Sequence, residues 1–309
     1  MKIRYIDLFC GIGGFRFGTE QALFSRGIQP ECVFSSDIDV QAQLAYSANF
    51  GERPTGDITK VKAKDIPDHD LLLAGFPCQP FSIMGDSKGF EDTRGALFFE
   101  IAKILEVKRP EAFILENVKR LVSHDSGRTF KTILSTLEAL GYQVSHQILN
   151  ALKFGLPQKR ERLILVGFRE KTCFSWPKLD IPMTPLSEIL ETEIPPEYFV
   201  SDKIRARRPE HCTPISEPMI WHENKSGHIS ALPYSCALRA GASYNYLLVN
   251  GERRLTSREL LRLQGFPEEY KIVSTHWQMR KQAGNAVAVP VVRAVVSQVI
   301  EASGWEKIT

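Results

Sequence analysis

Apolar runs and helical spacings alternate along the first half of the chain. Several of the apolar runs are continuous rather than alternating with polar residues, which is typical of strands covered on both faces. They predict strands at Ile3–Phe9, Glu31–Ser36, Leu71–Ala74, Ala112–Leu115, Tyr142–Leu149 and Arg162–Phe168. Apolar residues spaced by three and four predict helices at Phe15–Phe24, Val40–Ala48, Leu97–Leu105 and Phe130–Leu140. This order predicts an α/β fold with a doubly wound, mostly parallel sheet.

The second half of the chain differs in composition. Residues 176–196 are rich in proline, serine and threonine and show no alternation of strands and helices. Regular structure returns with a predicted helix over Thr256–Pro267, which has an N-cap and a glycine stop, and with a last helix over Val291–Ala302. We therefore predict a larger domain of residues 1–174 plus 275–309 and a second, smaller domain of residues 175–274.

Composition narrows the classes of protein. The 309 residues carry a net charge of only +3, and 43% of them are hydrophobic, which suits one large or two smaller globular domains. No apolar run approaches the length of a membrane span, and the first residues do not form a signal peptide. The six cysteines form no C-x-x-C pair, so we expect neither a metal site nor disulfides, and a location in a reducing cytoplasm.

Ligands of doubly wound sheets bind outside the carboxyl ends of the strands, so the loops there are the first candidates. Glycines 11, 13 and 14 follow the first strand and allow a tight turn before a helix N-terminus. The adjacency of Gly13 and Gly14 departs from the G-x-G-x-x-G pattern. Asp37, after the second strand, is placed to accept from ribose hydroxyls. The alternative for that stretch is a helix cap, which we assign to Asp39; Asp57 by itself suits a turn.

A stiff loop follows the third strand, with Cys78 between Pro77 and Pro80. The prolines fix φ and remove backbone donors on both sides of the thiol. A lone cysteine in such a loop is more often a buried structural residue than a reactive one. The polar, glycine-bearing segment 85–95 that follows is suited to closing over a bound partner.

Charged residues border two further strands. Glu116 directly follows the fourth apolar run, where partial desolvation suits a proton donor; a capping role is the alternative. Arg160 and Arg162 are two residues apart and point the same way in an extended stretch. One of them can serve a site while the other serves the scaffold or a phosphate.

The second domain carries features of a nucleic-acid surface. Residues 201–262 contain ten Lys and Arg against six Asp and Glu, concentrated in 203–208 and 253–254. Residues 232–246 lie between these clusters and mix small residues and tyrosines with Arg239. Cations for phosphates together with polar and aromatic side chains for bases fit nucleic acid. A solvated surface without a partner is an equal alternative from these residues alone.

The ordered motifs resemble those of the DNA cytosine-5 methyltransferases, above all the compact bacterial enzymes of restriction-modification systems. The resemblance covers nearly the whole chain. Its motifs are Asp7-Leu8-Phe9-x-Gly11-x-Gly13-Gly14, Pro77-Cys78-Gln79, Glu116-Asn117-Val118, Gln158-x-Arg160-x-Arg162, Arg254-Leu255-Thr256-x-Arg258-Glu259 and Gly284-Asn285-Ala286-Val287. Each motif is weak alone, but all six in this order are specific.

The resemblance implies S-adenosylmethionine as the cofactor, with S-adenosylhomocysteine as its product. The residues it implies for cofactor binding are Phe9, Gly11, Ile12, Gly14, Asp37, Ile38, Asp57, Ile58, Pro77, Leu97, Asn285 and Ala286. Asp37 would hold the ribose, although the family more often has glutamate there. Ile38, Asp57 and Ile58 would surround the adenine.

The resemblance also implies methyl transfer to C5 of a flipped-out cytosine through a covalent adduct between Cys78 and C6. The implied catalytic residues are Cys78, Gln79, Glu116, Arg160 and Arg162. Glu116 would contact N3 and N4 of the base, and Arg162 would donate to O2. The implied DNA-binding residues are Ser82, Arg94, Tyr234, Arg239 and Arg254, and the region from about 175 to 274 would be the target-recognition domain.

The expected partner is double-stranded DNA, bound by a monomer. A restriction endonuclease would act on the same sequence without forming a complex with this chain. Three alternatives remain at this point. They are a tRNA cytosine-5 methyltransferase, a dinucleotide-dependent oxidoreductase suggested by the glycine loop, and a binding protein with an inactive methyltransferase fold.

Overall fold

The computed structural model describes residues 1–77, 96–178, 180–206, 217–224 and 226–306. The chain divides into two compact units. Unit 1 comprises Met1–Leu149, Glu161–Lys178 and Val291–Thr309, and unit 2 comprises Asn150–Arg160 and Leu179–Pro290. This division by packing assigns residues 150–160 and 275–290 to unit 2, whereas the functional division predicted above gives them to the larger domain.

Within the described residues the strands, in chain order, are β1 Lys2–Leu8, β2 Gln29–Ser36, β3 Leu71–Gly75, β4 Ala112–Val118, β5 Gln143–Asn150, β6 Gln158–Lys159, β7 Glu161–Phe168, β8 Ile220–Glu223, β9 Ile229–Leu232, β10 Ser235–Cys236 and β11 Leu247–Val249. The α-helices are α1 Gly14–Phe24, α2 Val40–Phe50, α3 Ala96–Lys108, α4 Arg128–Ala139, α5 Leu186–Ile189, α6 Asp202–Arg205, α7 Ser257–Arg262, α8 His276–Asn285 and α9 Val289–Ser303. Short 3-10 helices occupy Ile58–Lys60, Ala63–Asp65, Lys119–Gly127, Ala151–Lys153 and Pro196–Tyr198.

The main sheet of unit 1 has the strand order β2-β1-β3-β4-β7-β5. The neighbours β1 and β2, β1 and β3, and β3 and β4 pair in parallel, while β7 runs antiparallel to β4. The chain passes from β1 to β2 on one side and then returns to β3 on the other, so the connections diverge between β1 and β3. A crevice at the carboxyl ends of these strands is the expected ligand position.

The core of unit 1 explains why its strands read as continuous apolar runs. Residues 71–74 of β3 are completely buried, since β1 and β4 flank this strand and helices cover the sheet. The six predicted strands, the four helices between them and the last helix are all present, with ends within three residues of the prediction. The α/β fold class is confirmed.

Unit 2 contains a three-stranded antiparallel sheet with the order β11-β8-β9 and a two-stranded parallel pair of β6 and β10. Helix α7 begins with a complete capping box in which Thr256 and Glu259 bond each other's backbone N–H groups. Arg253 adds an ion pair of 2.9 Å to the buried Glu259. The capping box and the ion pair together anchor the segment between β11 and α7, and the N-cap predicted at the start of this helix is confirmed.

Among the residues that the structure describes, one helical stretch, His276–Ser303, is long and apolar enough to cross a membrane by length and composition, and 67% of its apolar window is buried in the protein. Buried core helices of other proteins pass the same test, so this finding is weak evidence for a membrane span.

Candidate functional site

The glycine loop after β1 has a backbone that its glycines make possible. Gly11 and Gly13 have positive φ angles of 54° and 87°. A Cβ on Gly13 would lie 2.3 Å from the Phe50 ring, so no other residue fits there without displacing that ring. Helix α1 starts at Gly14 without a side-chain cap and without an acid in its first turn. Its N-terminus is therefore suited to an anionic group of a ligand.

Asp37 is joined to the glycine loop. Its carboxylate accepts from the backbone N–H groups of Gly11 and Asp39, both at 2.8 Å. Asp39 caps helix α2, as predicted, by accepting from Gln41 N–H at 2.9 Å. The neighbouring Ile38 is 73% exposed, which is unusual for isoleucine. Asp37 thus fixes the loop, and an apolar surface stands beside it.

The third loop adjoins the second. Thr55 pairs with Ser36 at the end of β2, and Thr55 O accepts from Asp37 N–H at 3.0 Å. Asp57 caps the 3-10 helix that follows by accepting from the backbone N–H and the hydroxyl of Thr59. These bonds hold the pKa of Asp57 below its ordinary value. Ile58 is buried in the core of unit 1, so its exposed surface for a ligand is small.

Glu116 and Arg162 form an ion pair at the carboxyl end of β4. Glu116 Oε1 lies 2.9 Å from Arg162 Nε, and both side chains are mostly buried. Gly75, the last residue of β3, pairs with Glu116 across the sheet. A Cβ on Gly75 would lie 3.7 Å from Glu116 Oε2 and 3.6 Å from the Phe15 ring. Phe15 belongs to the first turn of α1, so the end of β3, the Glu116–Arg162 pair and the start of α1 meet at one place.

Asn117 follows Glu116 at the end of β4, and the sequence motifs assigned no role to it. It is 2% exposed, and its amide donates to the carbonyl of Phe76 at 2.9 Å. Its own side-chain oxygen accepts from Val118 N–H at 2.8 Å. Asn117 therefore ties the end of β4 to the first residue after β3, immediately before the proline-cysteine loop. The Glu116-Asn117-Val118 motif was the signal that could have identified it.

The described residues end at Pro77, which is exposed, and resume at Ala96. The predicted residues Cys78, Gln79, Ser82 and Arg94, and the segment 85–95, lie outside the described residues. Leu97 is half-buried and packs against the core of unit 1. Phe9 also packs against that core, and Ile12 is buried.

Arg160 differs in its surroundings from Arg162. It is 2% exposed within unit 2, and its guanidinium donates to the carbonyls of Leu238 and Gly284 at 3.1 Å and of Ala286 at 2.6 Å. A guanidinium enclosed by backbone carbonyls stabilises the fold. Either arginine of the pair could have served the site or the scaffold, and these contacts support a structural role for Arg160. They give no support to its predicted catalytic role.

Arg160 and Gly284 bring two segments of unit 2 together. A Cβ on Gly284 would lie 2.4 Å from Ala240 N, so only glycine allows this approach to the backbone of residues 239–240. Gln158 adds a bond by accepting from Leu238 N–H at 3.0 Å. Asn285 is exposed and Ala286 is buried in this unit. The segment 284–286 and the predicted recognition residues around Arg239 are thus one packed assembly.

Unit 2 contains a groove of 1170 Å³, whose lining includes Arg239, Glu223 and residues 241–246. Arg239 is exposed, and its guanidinium lies 5.0 Å from the centre of the Tyr246 ring. Tyr234 is half-buried and does not line this groove. Arg254 is also half-buried. It donates to Asn245 Oδ1 at 2.8 Å and to the carbonyl of Glu197 at 3.1 Å.

Sequence reasoning missed one basic residue here, Arg280. It lies on α8, and its guanidinium donates to the carbonyl of Ser243 at 2.9 Å. Helix α8 was not predicted because it is polar and buries little apolar surface. Thr275, which caps it by accepting from Gln278 N–H, was the available signal.

A family model described as C-5 cytosine-specific DNA methylase matches residues 3–207 and 204–301. The chain is 56% identical over 292 residues to Type II methyltransferase M.NgoBI of Neisseria gonorrhoeae, covering 94% of this chain and 90% of that protein. It is 55% identical over 302 residues to Type II methyltransferase M.HaeII of Haemophilus aegyptius, covering 97% and 93%.

The crystal structure of the S. pombe Dnmt2 methyltransferase has a TM-score of 0.73 with this chain, over 97% of this chain and 98% of that one. The two sequences are 24% identical, so this likeness concerns the fold alone.

Proposed function

The chain belongs to the C-5 cytosine-specific DNA methylase family, and from this premise we propose how its residues methylate C5 of cytosine in duplex DNA. The methyl donor is S-adenosylmethionine. The reaction passes through a covalent bond between the Cys78 sulfur and C6 of the base. The observation that carries this proposal is the meeting of the Glu116–Arg162 pair, the end of β3 and the start of α1.

The residues of unit 1 fit S-adenosylmethionine in three ways. The uncapped N-terminus of α1 suits the carboxylate of the methionine part. Asp37, which already fixes Gly11, stands where a ribose hydroxyl can donate to it. The exposed Ile38 offers an apolar surface to the adenine. When bound, this cofactor supplies an activated methyl group on a positively charged sulfur.

Cytosine C5 is a weak nucleophile, and the protein must make it electron-rich. The Cys78 thiolate adds to C6, which gives C5 the character of an enamine carbon. Glu116 in its acid form donates to N3 during this addition and accepts from the N4 amine, which selects cytosine. Arg162 donates to O2 and stabilises the charge that develops there. The 2.9 Å contact between Glu116 Oε1 and Arg162 Nε places these two side chains side by side before the base binds, as neighbouring atoms of one base require.

After methyl transfer water or hydroxide takes the proton from C5, the C6–S bond breaks to release the thiolate, and N3 returns its proton to Glu116. These steps require access to both faces of the ring, so the cytosine is flipped out of the duplex, at a cost of about a few kcal/mol. Unit 2 holds the surrounding DNA through the groove that Arg239 lines.

The biological role we propose is protection of DNA from a restriction endonuclease that cuts the same sequence, in the bacterial cytoplasm and as a monomer. Two relatives that cover nearly the whole chain are named Type II methyltransferases, which supports this role.

The decisive experiment offers duplex DNA and tRNA separately to the purified chain with a methyl-labelled cofactor. We expect label on DNA alone, and label on tRNA alone would replace this function with the tRNA alternative. Bisulfite sequencing of plasmid from cells expressing the chain then gives the base and the recognised sequence together.

The variant that tests the covalent step is Cys78→Ser. We expect methyl transfer to be abolished while the cofactor still binds, because the hydroxyl is a far weaker nucleophile than a thiolate at neutral pH. Binding is measured by calorimetric titration with S-adenosylhomocysteine. Methylation by this variant at nearly the wild-type rate would show that the covalent scheme is wrong.

A further inference from the structure

Three arginines of unit 2 converge on one small recess. Arg239, Arg254 and Arg280 line a cavity of 20 Å³ together with Tyr244 and Tyr246. Such a volume accepts one or two oxygen-sized atoms. Arg239 and the two tyrosines also line the 1170 Å³ groove, so the recess adjoins the surface that unit 2 offers to DNA.

Neutral groups hold these three guanidiniums. Arg254 bonds Asn245 Oδ1 and the carbonyls of Glu197 and Phe199, and Arg280 bonds the carbonyl of Ser243. Arg239 approaches His222 at 3.4 Å. Within the described part of the chain, none of the three has a carboxylate partner. Three cations around one recess therefore lack an anion.

Tyr244 fixes two of these cations in place. The guanidiniums of Arg254 and Arg280 lie 4.4 and 4.5 Å from the centre of its ring, which is 44% exposed. Burial, together with the crowding of these positive charges, lowers the pKa of two groups near the recess. Burial and the nearby Arg280 and Arg254 lower the pKa of His276 to about 4. Burial, with Arg254 also contributing, lowers the pKa of Arg280.

We propose that this recess, which we call the arginine recess, holds one backbone phosphate of the DNA substrate. The proposal rests on the function stated above, because it takes the bound nucleic acid to be the substrate duplex. A non-bridging phosphate oxygen fits the recess, and the cations are already oriented for it, so little side-chain freedom is lost on binding. Contacts to phosphates fix the register of a protein on DNA without reading its sequence.

The test uses fluorescence anisotropy of the full chain with S-adenosylhomocysteine and a duplex carrying the sequence that the plasmid experiment identifies. Arg280→Gln removes one charge and leaves most anchors of Arg254 and Arg239 intact. We expect binding to weaken about tenfold at low salt and the slope of log K against log salt to fall by about 0.9. The preference for the cognate sequence over a one-base mismatch should stay within threefold of wild type. Arg293→Gln, an exposed charge of helix α9 in unit 1, is the matched control and should leave both quantities unchanged.

Single methylphosphonates, which are neutral, placed one at a time along the duplex identify the phosphate. At one position wild type should lose about tenfold in affinity while Arg280→Gln loses about threefold, since this variant has already lost one of the three cations that contact the phosphate. Equal losses at every position, or an unchanged salt slope, would overturn the proposal. If Arg280→Gln does not melt cooperatively, Arg280→Lys with the same methylphosphonate series decides, because the retained charge should preserve the position-specific loss.

Two further outcomes distinguish a contact to a DNA phosphate from a site for small anions and from a contact to a base. Stabilisation of wild type by inorganic phosphate over chloride at equal ionic strength, with no sensitive methylphosphonate position, would show a site for small anions and overturn the proposal. A changed sequence preference of Arg280→Gln would make Arg280 a base reader and overturn it as well. If wild type methylates no DNA, the proposed function itself fails, whereas methylation with an unchanged salt slope rejects the recess alone.

Discussion

Glu116 and Arg162 lie side by side at 2.9 Å, which lets them act on neighbouring atoms of one base. Arg162→Ala removes the predicted donor to O2 and leaves the mostly buried Glu116 without its cation. We expect kcat to fall about 100-fold to 1000-fold, while the affinity for duplex DNA changes by less than threefold. Single-turnover methylation and equilibrium DNA binding measure the two effects.

Arg169→Ala, which removes an arginine just beyond the other end of β7, is the control and should alter neither. Comparable losses in both measurements would make Arg162 a phosphate contact.

Asp7 shows what sequence reading cannot assign at the scale of a residue. It opens the glycine-loop motif, yet it is 0% exposed, and neither carboxylate oxygen has a hydrogen-bond partner among the described residues. Burial raises the pKa of Asp7 well above its ordinary value, Arg16 opposes this rise, and Asp37 adds to it. The sequence identified the motif, but the cost of burying this acid depends on β1 being central in the sheet.

Asp7→Asn tests that cost. Because the folded state raises the pKa of this acid, it binds a proton more tightly than the unfolded state does. The free energy of unfolding of wild type therefore decreases as pH rises above the unfolded value near 3.8. We expect Asp7→Asn to gain about 1–3 kcal/mol at pH 7 relative to wild type and much less at pH 4. Urea unfolding at the two pH values measures the difference, and a gain equal at both would show that charge is not the cause.

At the scale of elements, the junction between β3 and the proline-cysteine loop depends on Asn117. Asn117→Ala leaves the Phe76 carbonyl without the amide that binds it at 2.9 Å. We expect about 1–3 kcal/mol lower stability and at least a tenfold lower kcat, because Cys78 follows two residues after Phe76. The control is Asn150→Ala, which removes the asparagine that caps the short 3-10 helix Ala151–Lys153 in unit 2. It should cost similar stability without the loss in kcat.

Prediction of elements succeeded where burial imposes a strong pattern. The apolar strands of unit 1 and the amphipathic helices between them were found, because the sheet is covered on both faces. Helix α8 was missed, since only Met279, Gln282, Ala283 and Gly284 of its ten residues are buried. The sequence also did not predict that β7 runs antiparallel to β4, because a continuous apolar run has the same pattern in a parallel and in an antiparallel strand. Both depend on tertiary contacts that local spacing does not encode.

At the scale of the molecule, motifs far apart in sequence are joined inside unit 2. The family resemblance implied a catalytic role for Arg160, while its spacing to Arg162 left a scaffold role open; its three carbonyl partners come from residues 238, 284 and 286. Spacing shows that two side chains point the same way, and only the fold decides what each meets. The motif Gly284-Asn285-Ala286-Val287, read as part of the cofactor site, is packed against the segment that carries Arg239.

This packing gives a prediction for the substrate preference of the enzyme. In Gly284→Ala the new methyl would lie 2.4 Å from Ala240 N and 2.7 Å from the Arg239 carbonyl carbon, so the backbone that carries Arg239 must move. We expect a stability loss of about 1–3 kcal/mol and a smaller ratio of cognate to mismatched methylation. The control is Gly241→Ala two residues beyond Arg239, where a Cβ meets nothing within 4 Å. Methylation rates on cognate and one-base-mismatched duplexes decide the matter. If Gly284→Ala kept the wild-type ratio at a lower stability, Arg239 would hold its position independently of the 284–286 segment.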